Sequence, residues 1–257
     1  MDPPRVVSLA PSATATLDAL DAADLLVGVT HHCAPGPDAG GTHGVEPVAV
    51  GGWVTPDLDR VAELDPDLIC TSDGLQAEIA AACRERGWRV THAEPATLDA
   101  VIERFKALAV AVDREDAGAT LVADARRRLQ AVTATVEGAA APHPVVYCEE
   151  WSDPPMAAGN WVPDAVRAAG GRYPFVEAGE RSREVNPRAV EAADPDHVVL
   201  HVCGHGERVD PTVVHDRGWE IDAPVHVLDD SLLNQPSPAL IDGIERLAAL
   251  LYPDAFC

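Results

Sequence analysis

A short helical run, an Asp-Pro-Asp step and a buried strand occur in that order twice in this chain. The first copy is Arg60-Val61-Ala62-Glu63-Leu64, then Asp65-Pro66-Asp67, then Leu68-Ile69-Cys70. The second is Ala189-Val190-Glu191-Ala192-Ala193, then Asp194-Pro195-Asp196, then His197-Val198-Val199. Proline cannot continue a helix and pushes the residue before it toward extended backbone. The apolar run that follows reads as an interior strand. Two copies predict two similar lobes rather than one large sheet, with a ligand-binding cleft between them.

The flanking pattern agrees. Val6–Leu9, Leu25–Thr30, Leu68–Thr71 and Trp88–His92 read as strands. They alternate with helical stretches over Ala13–Leu20, Pro56–Leu64 and Gln76–Arg86, the last stopped by Gly87. Such alternation implies a mainly parallel sheet covered on both faces. Residues 97–136 are almost wholly helical, broken near Asp113–Gly118. Beyond Pro142 the plan repeats, with strands at Val145–Cys148, Val198–Val202 and Val225–Leu228 and helices at Val162–Ala169, Pro187–Ala193 and Ala239–Leu251. The expected fold is α/β: two Rossmann-like lobes, residues 1–112 and 142–257, joined by a long rigid helix in 113–141.

Composition narrows the function. The formal net charge is −23, and of 19 basic residues only Lys106 is a lysine. An acidic surface so poor in lysine suits high salt, where its self-repulsion is screened. It also argues against nucleic-acid binding, which needs a basic footprint. No run of 18 apolar residues is present, so no membrane span is expected. The opening Met1-Asp2-Pro3-Pro4-Arg5 has no basic segment followed by an apolar one, so the sequence as it stands predicts a cytoplasmic protein, or an extracytoplasmic one whose leader has been trimmed. Six cysteines without a CxxC pair make a zinc ribbon or thioredoxin-like centre an unsuitable reading; Cys70, Cys83 and Cys148 fall within helix or strand patterns and read as core.

Ligands of parallel α/β sheets gather beyond the carboxyl ends of the strands. That rule selects His31-His32-Cys33 and Ser72-Asp73 in the first half. In the second it selects Glu149 to Asp153, Cys203-Gly204-His205 and Asp229-Asp230-Ser231. Aromatic residues are only 4% of the chain, yet Trp53, Trp151 and Trp161 fall in loops near these strand ends. Their indoles either stack on a large planar ligand or cover the core at helix entrances. His32, Cys33, Cys203 and His205 have metal-ligand chemistry, as a protein-only site or as contacts to a metal already chelated, though their spacing follows no finger motif. Glu149, Glu150 and Asp153 offer an acid–base pair. No P-loop, dinucleotide loop or GxSxG elbow is present.

Taken together, the blocks Arg5-Val6-Val7-Ser8-Leu9-Ala10-Pro11-Ser12, Leu26-Val27-Gly28-Val29-Thr30, Gly52-Trp53-Val54-Thr55-Pro56-Asp57-Leu58 and Pro66-Asp67-Leu68-Ile69 resemble the class III substrate-binding proteins of ABC uptake systems, and most closely their cobalamin-binding branch. Asp153-Pro154-Pro155, Ala169-Gly170-Gly171 and Ser237-Pro238 fit the same family. The resemblance implies a non-catalytic receptor for a metal chelate: cobalamin or another corrinoid, with haem or an iron–siderophore as the alternative and no covalent cofactor. It implies that Trp53 packs on the macrocycle and that Asp153 faces the ligand from the second lobe; for such a receptor, Trp151 also packs on the macrocycle, His32, Cys33, Cys203 and His205 line the cleft, Ser72, Asp73, Asn160 and Asn234 bind peripheral groups, and Trp161 is a further loop contact. Family members dock on a permease through an acidic residue near the start of the duplicated helix in each lobe; here those places hold Asp59 and Arg188, so the pair of handles is incomplete. A reading of another class, a metal-dependent enzyme using the His/Cys groups, and an interaction protein with a vestigial cleft stand beside it.

Overall fold

Val6-Val7-Ser8 has no solvent-facing side, and only an interior strand of a covered sheet accommodates it. The computed structural model describes residues 2–256 and gives this segment as β1 (Val6–Ser8), the middle strand of a five-stranded parallel sheet. The chain continues through α1 (Pro11–Ala19), β2 (Leu26–Val29), β3 (Val48–Ala49), α2 (Leu58–Glu63), β4 (Leu68–Ser72), α3 (Ala77–Glu85) and β5 (Val90–Ala93). The strand order is β3-β2-β1-β4-β5. One face packs on α1 through Val6, Leu17, Leu26, Leu68 and Cys70, joined by Leu108 and Val112. The other, carrying Val7, Leu9, Val27 and Ile69, packs on Val61 and Cys83 from the next helices.

Two long helices follow, α4 (Leu98–Ala111) and α5 (Glu115–Ala139). The chain divides into two units: residues 1–95 with 102–124, and residues 96–101 with 125–257. The second unit contains β6 (Val146–Ser152), β7 (Pro155–Ala157), α6 (Val162–Ala168), β8 (Arg183–Glu184), α7 (Pro187–Ala193), β9 (His197–Leu200), α8 (Val213–Asp216), β10 (Val225–Val227) and α9 (Ala239–Leu251). Its sheet order is β10-β9-β6-β7-β8. The first three strands are parallel, but β7 and β8 run antiparallel. The expectation that the second half simply repeats the first therefore holds on one side of β6 only. The sequence reading ended this strand at Cys148; pairing of Glu149–Ser152 with the β7 hairpin extends it to Ser152.

The repeated Asp-Pro-Asp step is the same device in both units. Asp65 and Asp194 have φ of 46° and 47°, so the residue before each proline is left-handed, not extended as expected. A helix end favours a left-handed residue, and aspartate tolerates that backbone. The third residue then pins the neighbouring strand. Asp67 accepts the Arg5 N–H at 2.8 Å and Asp196 accepts the Val145 N–H at 2.7 Å, while the Arg5 and Val145 carbonyls each accept two amides in return.

Candidate ligand-binding site

In the first unit the carboxyl ends of all five strands lie along one edge, because the sheet is wholly parallel. Gln76, fully buried, ties three of its loops together. Its side-chain amide donates to the Leu9 and Trp53 carbonyls, both at 2.7 Å, and its oxygen accepts the Ser72 N–H at 2.8 Å. Trp53 is thus held half-buried after Gly51, where φ is 107° and an added Cβ would come within 2.8 Å of the Thr55 carbonyl, leaving no room for a side chain. Asp73 occupies the sparsely populated region φ 74°, ψ 150°, and its carboxylate accepts the Leu75 N–H. Ser72 is buried. Cys33 lies 3.2 Å from the Thr30 hydroxyl and donates to the Ser8 carbonyl, whereas His32 is exposed.

In the second unit the corresponding edge forms a pocket of about 340 Å³. One wall is Trp151, Ser152 and Asp153 at the end of β6; the others come from Val202, His205, Arg208, Val209, Asp210 and Val213. Three residues selected from sequence, Trp151, Asp153 and His205, therefore meet in one place. Trp151 is 45% exposed and donates its indole N–H to the Asp153 carbonyl at 2.9 Å. The loop carrying Cys203 and His205 is fixed by Asp230, which accepts the Gly204 and Gly206 amides at 2.9 and 2.8 Å. Desolvation, followed by the Asp230 and Glu150 carboxylates, raises the Cys203 thiol pKa and keeps it protonated.

A buried ionic network joins this pocket through Ser152. Glu149 has no solvent exposure and receives Arg217 at 2.7 and 2.9 Å, the Ser152 hydroxyl at 2.8 Å and the Tyr147 hydroxyl at 3.0 Å. Arg217 also donates to the Ser152 carbonyl and lies over the Trp219 ring. Both carboxylate oxygens of Glu149 are engaged internally, which removes it from the acid–base pairing read from the sequence. The arginine sits 68 residues away along the chain, so spacing offered no sign of the pair. Arg208, Val209 and Asp210 were missed for a related reason: they lie in a long loop without periodicity.

Other expected contacts are wholly or partly buried. Trp161 is only 5% exposed and donates its indole N–H to the Leu233 carbonyl at 2.7 Å, so it packs the second unit rather than facing solvent. Asn160 precedes it in left-handed backbone (φ 52°), after Gly159, where an added Cβ would come within 2.4 Å of the Glu180 carbonyl. Asn234 bonds the fully buried His201: it accepts the Nδ1 proton and donates to the His201 carbonyl at 2.8 Å. Among the described residues no group of three or more His, Cys, Asp or Glu side chains is placed to hold a metal ion, and neither His32–Cys33 nor Cys203–His205 gains a third such donor. Asp59 is exposed on α2 and paired with Arg86 at 2.8 Å; it occupies the second position after the Asp57 cap, as Arg188 does after the Asn186 cap of α7.

Two α/β units whose loops gather at the carboxyl edges of their sheets have the architecture of a class III substrate-binding protein. The chain belongs to the periplasmic binding protein family, whose model matches residues 6–223. It is 26% identical to a cobalamin-binding protein of Halobacterium salinarum over 96% of this chain and 69% of that protein. It is 25% identical to a vitamin B12-binding protein of Vibrio cholerae, covering 96% and 88% of the two. The solved periplasmic vitamin B12 binding protein of Vibrio cholerae superposes with a TM-score of 0.76 at 23% identity, covering 99% of this chain and 98% of that one. S. aureus IsdE complexed with heme superposes with 0.81 at 17% identity, covering 97% and 99%. At those identities the structural likeness concerns the fold. Among the described residues no helix is long and apolar enough to cross a membrane.

Proposed function

We propose that this chain binds a corrinoid such as cobalamin and serves an ABC-type permease. The single observation that carries this reading is the pocket at the end of β6 and β9, where the face of Trp151 is presented beside apolar Val202, Val209 and Val213 with the polar ends of Asp153, His205 and Arg208 around it. Such a mixture, largely apolar with a few polar groups to set orientation, suits a flat chelate fringed with amides. A volume of about 340 Å³ receives an edge of such a macrocycle, not the whole of it. Trp53 and Asp73, both held in place by short buried or capping bonds, are the contacts proposed from the first unit. Both curated relatives named above are corrinoid binders by name and match across nearly the whole chain, which favours a corrinoid over haem. Asp59 is the proposed permease contact on α2.

Titration of the purified protein with cobalamin, dicyanocobinamide and haemin, read by absorption and calorimetry at high salt, tests the reading. Saturable one-to-one binding of a corrinoid is the expected result. Saturable binding of haemin alone would replace the corrinoid with haem.

A further inference from the structure

We propose that His197 and His226 form a binding site for a borderline divalent metal ion of the Zn²⁺ class, separate from the ligand pocket. His226 pairs across the ladder with Val199, two residues beyond His197, so both imidazoles stand on the same face of neighbouring strands. The His197 Nδ1 and His226 Nε2 atoms are 3.1 Å apart, with ring planes inclined by 30°. Metal–imidazole bonds of about 2.0–2.1 Å place two ligand nitrogens about 2.9 Å apart at a right angle and about 3.3 Å apart at a tetrahedral one. The observed spacing lies between these, so an ion enters with small side-chain adjustments and no shift of the strands.

The chemistry of the pair agrees with this geometry. Burial lowers the pKa of both rings, and for His226 the neighbouring His197 lowers it further, against a raising contribution from Asp196 on His197. Both rings are therefore neutral near pH 7, the form in which imidazole is a ligand. At present one facing nitrogen donates its proton to the other. Moving that proton to the outer nitrogen of the same ring frees both facing lone pairs, and no net charge changes. β10 is the edge strand of its sheet and both residues are only partly buried, so solvent supplies the remaining ligands. With two protein donors the site is weaker than a four-ligand structural centre.

Calorimetric titration of the full chain with ZnCl₂ at pH 7.5 in a non-coordinating buffer tests the proposal, with His197→Gln and His226→Gln checked for folding by circular dichroism. One-to-one binding, weakened at least tenfold in each variant, is expected. Imidazole ¹⁵N resonances of the unsubstituted protein give a reading independent of variant folding: Zn²⁺ moves His197 Nδ1 and His226 Nε2. Absence of Zn²⁺ binding, full affinity in either folded variant, or shifts confined to other histidines overturns the site.

Discussion

The Glu149 carboxylate receives the Arg217 guanidinium through both oxygens, at 2.7 and 2.9 Å, and both residues bond to Ser152 of the pocket wall. The pair joins the strand end that carries Trp151 to the turn after α8, and Val213 of that helix also lines the pocket. Removing one partner leaves the other charge buried, at a cost of about 3–5 kcal/mol, whereas replacing both with apolar groups is often close to neutral. Urea unfolding should therefore show Arg217→Met destabilised by about that amount, with most of the loss recovered in Glu149→Leu/Arg217→Met. Equal destabilisation of the single and double variants would show that the bond itself, not the stranded charge, sets the cost.

Trp151 separates stability from binding. The residue is 45% exposed and its indole bonds to a carbonyl two residues away. Trp151→Ala should change the unfolding free energy by less than about 1 kcal/mol, as surface substitutions do. Loss of the stacking face should weaken corrinoid binding at least tenfold by calorimetry. Unchanged affinity in the folded variant would remove Trp151 from the ligand surface.

Gln76 makes the opposite case, a residue that holds from within the loop carrying the proposed contact Trp53. Gln76→Leu deprives the Leu9 and Trp53 carbonyls and the Ser72 amide of partners in a buried setting. Each buried group left unpaired costs about 1–3 kcal/mol, so a loss of at least about 2 kcal/mol is expected in denaturant unfolding. Because the Trp53 loop loses its anchor, ligand affinity should fall together with stability; a fall in stability with affinity intact would mean that the loop holds its shape without the glutamine.

What the sequence made legible follows the range of the interactions involved. α7 and α9 have the predicted bounds, since their starts and stops are local: Pro187 at the first turn, the left-handed Asp194, and the spacing of Leu240, Ile244 and Leu247. The antiparallel strands β7 and β8 were invisible because two- and three-residue strands carry no period to read. Among the candidate residues, Trp151, Asp153 and His205, selected by their position at strand ends, line one pocket. Trp161 shared that position, but its side chain turns inward to Leu233, a partner 72 residues away that no local pattern announces. The Glu149–Arg217 and His201–Asn234 pairs were hidden for the same reason.

The duplicated carboxylates permit a paired test. Asp67 and Asp196 each hold the amide just before a central strand, so Asp67→Ala and Asp196→Ala should each cost about 1.5–3 kcal/mol, the range for hydrogen bonds to charged groups. Asn at either place retains an acceptor and should cost less. A large asymmetry between the two alanine variants in denaturant unfolding would contradict the equivalence of the two steps.

His201 should give the protein an acid-sensitive stability. The residue is fully buried, and burial lowers its pKa to about 4, against an ordinary value of about 6.5 in an unfolded chain, despite the raising effect of the Asn234 hydrogen bond. As pH falls, the unfolded chain takes up this proton first, so stability is fully present above about pH 6.5 and declines until the folded state also protonates near pH 4. With each pK unit equivalent to about 1.4 kcal/mol, the decline attributable to this one residue is about 3 kcal/mol. His197 and His226, whose pKa values burial also lowers, add in the same direction. Denaturant unfolding measured from pH 7 to pH 4 should show the slope, and His201→Leu, though less stable at pH 7 because Asn234 loses its donor, should show a flatter one. A variant with an undiminished slope would assign the acid sensitivity to groups other than His201.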